Sequence, residues 1–64
     1  MNELLKEFEH ATVRDYKGGK EVRTKNLDDA LSKARKIIAS KNLNIEIFEI
    51  SSQLRSFSIR EKAS

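Results

Sequence analysis

The residues that could do chemistry are few, and their spacing supports no catalytic site. His10 is the only histidine and cysteine is absent. The nearest carboxylates, Glu9 and Asp15, are expected on the opposite face of a strand from His10. Nucleophilic catalysis needs a nucleophile, a base and an orienting group within hydrogen-bond reach. We therefore interpret His10 as an ordinary strand residue and predict that the chain is not an enzyme.

Carboxylates and glycines suggest no metal, cofactor or phosphate site. Asp28 and Asp29 stand where a helix should begin, and acidic residues stabilise that positive end for local reasons. Glu46 and Glu49 are expected on opposite faces of a strand, so they do not converge on a cation. Gly18-Gly19-Lys20 lacks the strand–loop–helix context of a phosphate-binding loop and is typical of a turn. We expect no cofactor and no small-molecule substrate.

Basic residues suggest a second class of function. The chain has 13 Lys and Arg against 10 Asp and Glu, a net charge of +3. Asp29 lies four residues before Lys33, which is typical of an ion pair on a helix surface. We therefore favour solvated surface, with a small nucleic-acid-binding module as the alternative function. Its phosphate contacts would come from Lys17, Lys20, Arg23, Lys33 and Lys36.

The clearest element is an amphipathic helix at about 27–41. Apolar residues recur at helical spacing and form one stripe: Leu27, Ala30, Leu31, Ala34, Ile37 and Ile38. Asn26 is the expected N-cap, because its side chain can accept from the free N–H groups of the first turn. Asn42 is the expected left-handed stop.

A hairpin is predicted on each side of this helix. In the first hairpin, Gly18-Gly19 separates residues 11–16 from residues 21–24, and two glycines permit the positive φ angles of a tight turn. A symmetric loop would place Arg14 opposite Arg23. Shifting by one residue pairs Asp15 with Arg23 and Lys17 with Glu21, and we favour this register because opposite charges attract.

In the second hairpin, residues 45–50 and 54–60 are the expected strands and residues 51–53 the turn. The N-terminal segment with Leu4, Leu5 and Phe8 is either a short helical turn or an extension of the first strand. The order β-β-α-β-β predicts one α+β domain over 1–64, a two-layer sandwich with one helix on a four-stranded, mainly antiparallel sheet. Residues 1–7 and 61–64 are expected to be mobile.

The third strand carries apolar residues on both faces. Ile45 and Ile47 share one face, whereas Phe48 and Ile50 share the other unless a bulge intervenes. One helix covers only one face, so something else should cover Phe48 and Ile50. A bulge or the N-terminal segment could resolve the conflict within the chain. Otherwise Phe48 and Ile50 form a protein-binding surface for a partner or for a second copy of the chain.

The size and composition of the chain favour a protein that associates with itself or with a partner. A core in a chain of 64 residues supplies only about 3–5 kcal/mol. Disulfides are unavailable, so self-association or a tight partner is the remaining source of stability. The start of the chain is acidic and has no long apolar run, so we expect neither a signal peptide nor a membrane partner. We therefore expect a cytoplasmic location.

The run of residues 27–41, LDDALSKARKIIASK, placed between two hairpins, resembles small proteins encoded by phages and prophages. In layout it is similar to a type I-F anti-CRISPR inhibitor. The resemblance covers the helix and its flanks, and implies a stoichiometric inhibitor of a host complex. We therefore expect a small non-catalytic protein-binding module, an inhibitor or adaptor of mobile-element kind.

Overall fold

The computed structural model describes residues 2–62 and confirms the predicted α+β architecture. The elements, in chain order, are helix α1 (Asn2–Leu5), a 3₁₀ turn (Lys6–Phe8), β1 (Thr12–Tyr16), β2 (Gly19–Arg23), α2 (Leu27–Ser40), β3 (Ile45–Ser51) and β4 (Ser56–Glu61). The four strands form one antiparallel sheet in the order β1-β2-β4-β3. The N-terminal segment is therefore helical and does not extend the first strand.

Helix α2 begins and ends through the predicted caps. The Asn26 side chain accepts a hydrogen bond from the backbone N–H of Asp29 at 3.3 Å. At the other end, Asn42 has φ 51°. The N–H of Leu43 donates to the Ile38 carbonyl at 2.9 Å, and the N–H of Asn42 donates to Ala39 at 3.3 Å. These bonds satisfy the last carbonyls in a Schellman arrangement.

The first hairpin adopts neither of the two registers considered from the sequence. Its turn is Lys17-Gly18, with φ of 47° and 81°, so Gly19 already belongs to β2. Arg14 pairs with Glu21 and Asp15 with Lys20, and both cross-strand pairs join opposite charges. The preference for opposite charges was sound, but the turn centre was wrong because Lys17 takes a left-handed conformation expected of glycine.

The second hairpin has a longer turn than predicted. Leu54 and Arg55 were expected in the last strand, but β4 begins at Ser56. Arg55 has φ 52°, a left-handed conformation that is incompatible with an extended strand. Its carbonyl accepts the Thr24 N–H at 2.9 Å, which ties this turn to the end of β2.

A bulge in β3 resolves the conflict between its two apolar faces. The β3–β4 register shifts between Ile47 and Glu49, leaving Phe48 as the extra residue. Ile47 pairs with Ile59 and Ile50 with Phe57. The shift moves Ile50 onto the same face as Ile45 and Ile47. The expectation that Phe48 and Ile50 share a face was therefore wrong, whereas a bulge was the internal explanation considered from the sequence.

The core lies between one face of the sheet and the helical residues. Its fully buried side chains are Leu4, Val22, Ala34, Phe57 and Ile59, each with 0% exposure. Phe8 meets Phe57 edge to face, with ring centroids 5.6 Å apart. The N-terminal segment thus shares the covering of the sheet with α2. Glu61 lies in β4, while Met1, Ala63 and Ser64 of the ends expected to be mobile lie outside the described residues.

Gly19 should be the most sensitive glycine. A Cβ built there would stand 2.0 Å from the Ile59 carbonyl oxygen and 2.9 Å from the Cβ of Arg60. Gly19→Ala must push β2 away from β4, and we expect a loss of about 2–3 kcal/mol in the free energy of unfolding, measured by urea denaturation. Gly18→Asn is the control, because this position has open space and Asn tolerates positive φ. Equal stability of the two variants would contradict the packing argument.

Candidate partner-binding surfaces

The two residues predicted to bind a protein lie on opposite faces of the sheet. Phe48 is half-buried on the face away from the helices, which we call the open face. Its ring stacks on Tyr16 at a centroid distance of 6.3 Å, and the Arg60 guanidinium lies 4.5 Å from its centroid. Ile50 is 48% exposed, beside a groove between α2 and β3. Phe48 and Ile50 therefore do not form one apolar surface.

The five residues predicted to bind nucleic acid do not form one track. Lys17 and Lys20 lie at the β1–β2 turn, where they pair with Glu49 at 3.6 Å and with Asp15, respectively. Arg23 and Lys33 line a different groove, beyond the other end of β2. Lys36 is exposed on α2 and is not part of that groove. The five residues therefore fall into two separate pairs, with Lys36 apart from both.

This second groove is a concavity of about 660 Å³. We call it the basic groove. It lies among the N-terminal segment, the start of β1, the end of β2, the first turns of α2 and the β3–β4 turn. Its apolar lining includes Phe8, Ala30 and Leu54, and Leu54 is 48% exposed. Its cationic rim is formed by Arg23, Lys25, Lys33 and Arg55.

The charges of the basic groove are unevenly balanced. Four cations line the groove against two acids, Glu7 and Asp29, although one of the four, Arg23, also lies 3.7 Å from the Glu21 carboxylate. The Asp29 carboxylate accepts from the Asn26 side-chain amide at 2.8 Å. Lys33 donates to the Glu7 backbone carbonyl at 3.1 Å and lies 5.7 Å from the Phe8 ring centroid. The groove therefore combines an apolar surface with a positive rim.

Two of these groove residues were not recognised from the sequence. Leu54 and Arg55 were assigned to a strand, although both lie in the β3–β4 turn, where Arg55 has a left-handed conformation, and both line the groove. The available signal was the polar run Ser51-Ser52-Gln53, which is typical of a turn and could have been extended to include Leu54-Arg55.

The open face has a different electrostatic character, because it contains a buried carboxylate. The Glu21 side chain is only 7% exposed and lies 2.7 Å from the Arg14 Nε and 3.7 Å from an Arg23 nitrogen. The Arg14 hydrogen bond holds the pKa of Glu21 below its ordinary value, burial opposes this shift, and the charges of Arg14 and Arg23 reinforce it. Ser56 and Ser58 are buried on the same face, so this surface is a satisfied polar layer.

Residues 2–62 contain no group of three or more His, Cys, Asp and Glu side chains placed to hold a metal ion. His10, expected in a strand, instead lies exposed in the turn before β1, beside the basic groove. None of the helices over the same residues is both long and apolar enough to cross a bilayer.

Comparisons with protein-family models, with curated proteins and with solved structures found no match to this chain.

Glu21 should make the stability of the fold depend on acid pH. A carboxyl whose pKa is lower in the folded state stabilises the fold above its unfolded pKa, near 4.5. That contribution is lost as pH falls through the folded pKa. Glu21→Gln removes the titrating group, so the variant should lose less stability between pH 7 and pH 3 than the parent, measured by urea denaturation.

Glu3→Gln is the control for this measurement, since Glu3 is exposed and lies outside the Arg14–Glu21 contact. It should keep the parent's dependence on pH. An identical loss of stability on acidification in Glu21→Gln and the parent would refute the linkage.

Proposed function

We propose that this chain is a small, non-catalytic protein-binding module that holds an acidic segment of a partner protein in the basic groove. The supporting observation is the apolar lining of the groove, enclosed by four cations that come from separate parts of the fold. The bound segment would place an apolar side chain against Phe8, Ala30 and Leu54 and carboxylates against the rim. This recognition needs no catalytic group.

The apolar lining of the groove suits one apolar side chain of the bound segment, which we call the anchor residue. Leu54 is one of only three large hydrophobic side chains exposed in residues 2–62, and it lines the basic groove. Burying a Leu- or Phe-sized side chain contributes roughly 1.5–3 kcal/mol. Phe8 and Ala30 are each only 7% exposed. Because they are packed into the core, they form a rigid surface against which an apolar side chain of the partner could pack.

The rim supports selection of an acidic partner. Lys25, Lys33 and Arg55 form no salt bridge within residues 2–62. Their charges are therefore open to a carboxylate from outside. Such complementarity speeds association and excludes basic partners more than it adds affinity. By contrast, Lys17 and Lys20 already have acidic neighbours.

A role as inhibitor or adaptor, of the kind that mobile elements encode, is the finer form of this proposal. It rests on the resemblance of residues 27–41 and on the small size of the chain, and implies a protein complex of the host as partner. A cytoplasmic location follows from the same expectation. Nucleic-acid binding is the competing function, because Arg23 and Lys33 could also contact phosphates.

A peptide titration tests the proposal. The probe is a fluorescent peptide with one Leu flanked by Asp and Glu, compared with peptides in which Leu becomes Ala or the acids become Lys. We expect only the first to bind. Lys25→Glu should weaken its binding roughly fivefold, as expected for losing an exposed ion pair worth ~1 kcal/mol. Leu54→Ser should also weaken it, through the lost apolar contact.

Lys36→Glu is the matched control, since it changes charge equally outside the groove. An equal loss of peptide binding in Lys36→Glu and Lys25→Glu would contradict docking in the groove. A parallel titration with single-stranded DNA and RNA at low and physiological salt tests the competing function. Salt-dependent binding of nucleic acid, with none of the acidic peptide, would overturn the protein-binding proposal.

A further inference from the structure

The outer edge of β3 presents the backbone groups of Ile45 and Ile47. The N–H of Lys62 donates to the Asn44 carbonyl at 3.0 Å. In an antiparallel pair, hydrogen-bonded positions alternate with positions whose groups point away from the neighbour. Counting along the register from Asn44–Lys62, Glu46 points toward β4. Ile45 and Ile47 therefore direct their N–H and C=O groups outward, away from the sheet.

The bulge keeps the backbone groups of the next apolar residue, Ile50, in the same outward orientation. Ile47 pairs with Ile59 and Ile50 with Phe57, and these two β4 residues are two positions apart. Ile47 and Ile50 are therefore spaced along β3 as two alternate residues of a regular strand, about 6.6 Å apart, although three positions separate them in sequence. Ile50 therefore has the same position in the strand alternation as Ile47, and its backbone N–H and C=O groups also point outward.

At this edge, the residues whose backbone groups point outward also place their side chains on one face of the sheet. The three outward positions, Ile45, Ile47 and Ile50, all place their side chains on the helix-covered face. Ile45 is 3% exposed, Ile47 is half-buried and Ile50 is 48% exposed. A strand added beside β3 would find both free hydrogen-bonding groups and an incompletely covered row of isoleucines.

The opposite edge of the sheet lacks this combination. The Thr24–Arg55 bond and the β1–β2 register indicate that only Val13 and Asp15 of β1 point outward. Asp15 carries a charge there, and charged residues protect an edge against pairing. An antiparallel pairing of β1 with a second β1 that uses both outward positions would set each Val13 against an Asp15 carboxylate. The edge at β3 is therefore the self-complementary one.

We propose that β3 is a homodimer interface, in which β3 of a second copy adds antiparallel about a two-fold axis between Phe48 and Glu49. Ile47 then lies opposite Ile50 of the partner subunit, and the reverse pair forms by symmetry. The bulge makes this register consistent. In this register the numbers of two paired residues sum to 97, and the two members of each pair place their side chains on the same face on both sides of the bulge. On the open face, Glu46 meets Ser51 of the partner subunit and Glu49 meets Phe48 of the partner subunit, so no two carboxylates lie directly opposite each other.

Such a dimer would have one eight-stranded sheet with the helices of both copies on one face. It would cover Ile50 and give a core of this size the additional burial that small domains need. The surface is separate from the basic groove, so the dimer neither requires nor blocks the proposed function.

Sedimentation velocity across a concentration series tests the interface. The parent chain should shift from monomer to dimer as concentration rises. Ile50→Lys should remain monomeric, because it buries a charge at the two-fold interface, while its half-exposed position allows the subunit to fold. Val13→Lys, at the β1 edge, should dimerise like the parent. Circular dichroism establishes that each variant is folded. A parent that stays monomeric at millimolar concentration would overturn the proposal.

Cysteine cross-linking tests the register, and the chain offers no native cysteine to compete. Glu46 and Ser51 of the partner subunit form a non-hydrogen-bonded pair, with Cα atoms about 4.5 Å apart, within the range of a disulfide. The double variant Glu46→Cys/Ser51→Cys should form a disulfide-linked dimer on mild oxidation, faster than either single variant. Equal rates in the single and double variants would refute this register.

Discussion

The fold depends on one extra residue in β3. Without the bulge, strict alternation would place Ile50 on the open face, opposite Ile45 and Ile47, and one face of the sheet could not be covered. The bulge at Phe48 inverts the alternation and gathers the three isoleucines on the helix face. The residue left over, Phe48, packs against Tyr16 and Arg60 on the open face. A local irregularity thus allows two layers to cover the apolar strand residues.

Charge plays a different part on each side of the molecule. On the open face, Glu21 is held between Arg14 and Arg23, and the acids near β3 engage Lys17 and Arg60. These pairs neutralise most of that surface. Beyond the other end of β2, the cations of the basic groove outnumber the acids. In the described part of the chain, unpaired positive charge therefore lies at the basic groove, where Lys25, Lys33 and Arg55 line an apolar surface.

The two proposed surfaces have a common origin in small size. Within residues 2–62, the sheet is covered only by the fourteen residues of α2 and a short N-terminal helical segment. Where they meet the β3–β4 turn, they leave a groove. Toward β3, they leave Ile50 half-exposed. A larger domain would bury both places within its own core, whereas this chain leaves them accessible to other molecules.

The sequence by itself determined the order of the main elements and the caps of α2. The apolar stripe, Asn26 and Asn42 define α2 through interactions within one or two helical turns, so local spacing was sufficient. It also favoured opposite-charge pairing in the first hairpin. Tertiary structure decided the turn at Lys17-Gly18, the bulge at Phe48 and the turn that holds Leu54 and Arg55. These depend on how strands fit against one another, as the contact of Gly19 with Ile59 shows. A one-residue change of register costs little locally and moves every later side chain to the other face. The groove and the β3 edge follow from those registers, so only the assembled sheet could reveal them.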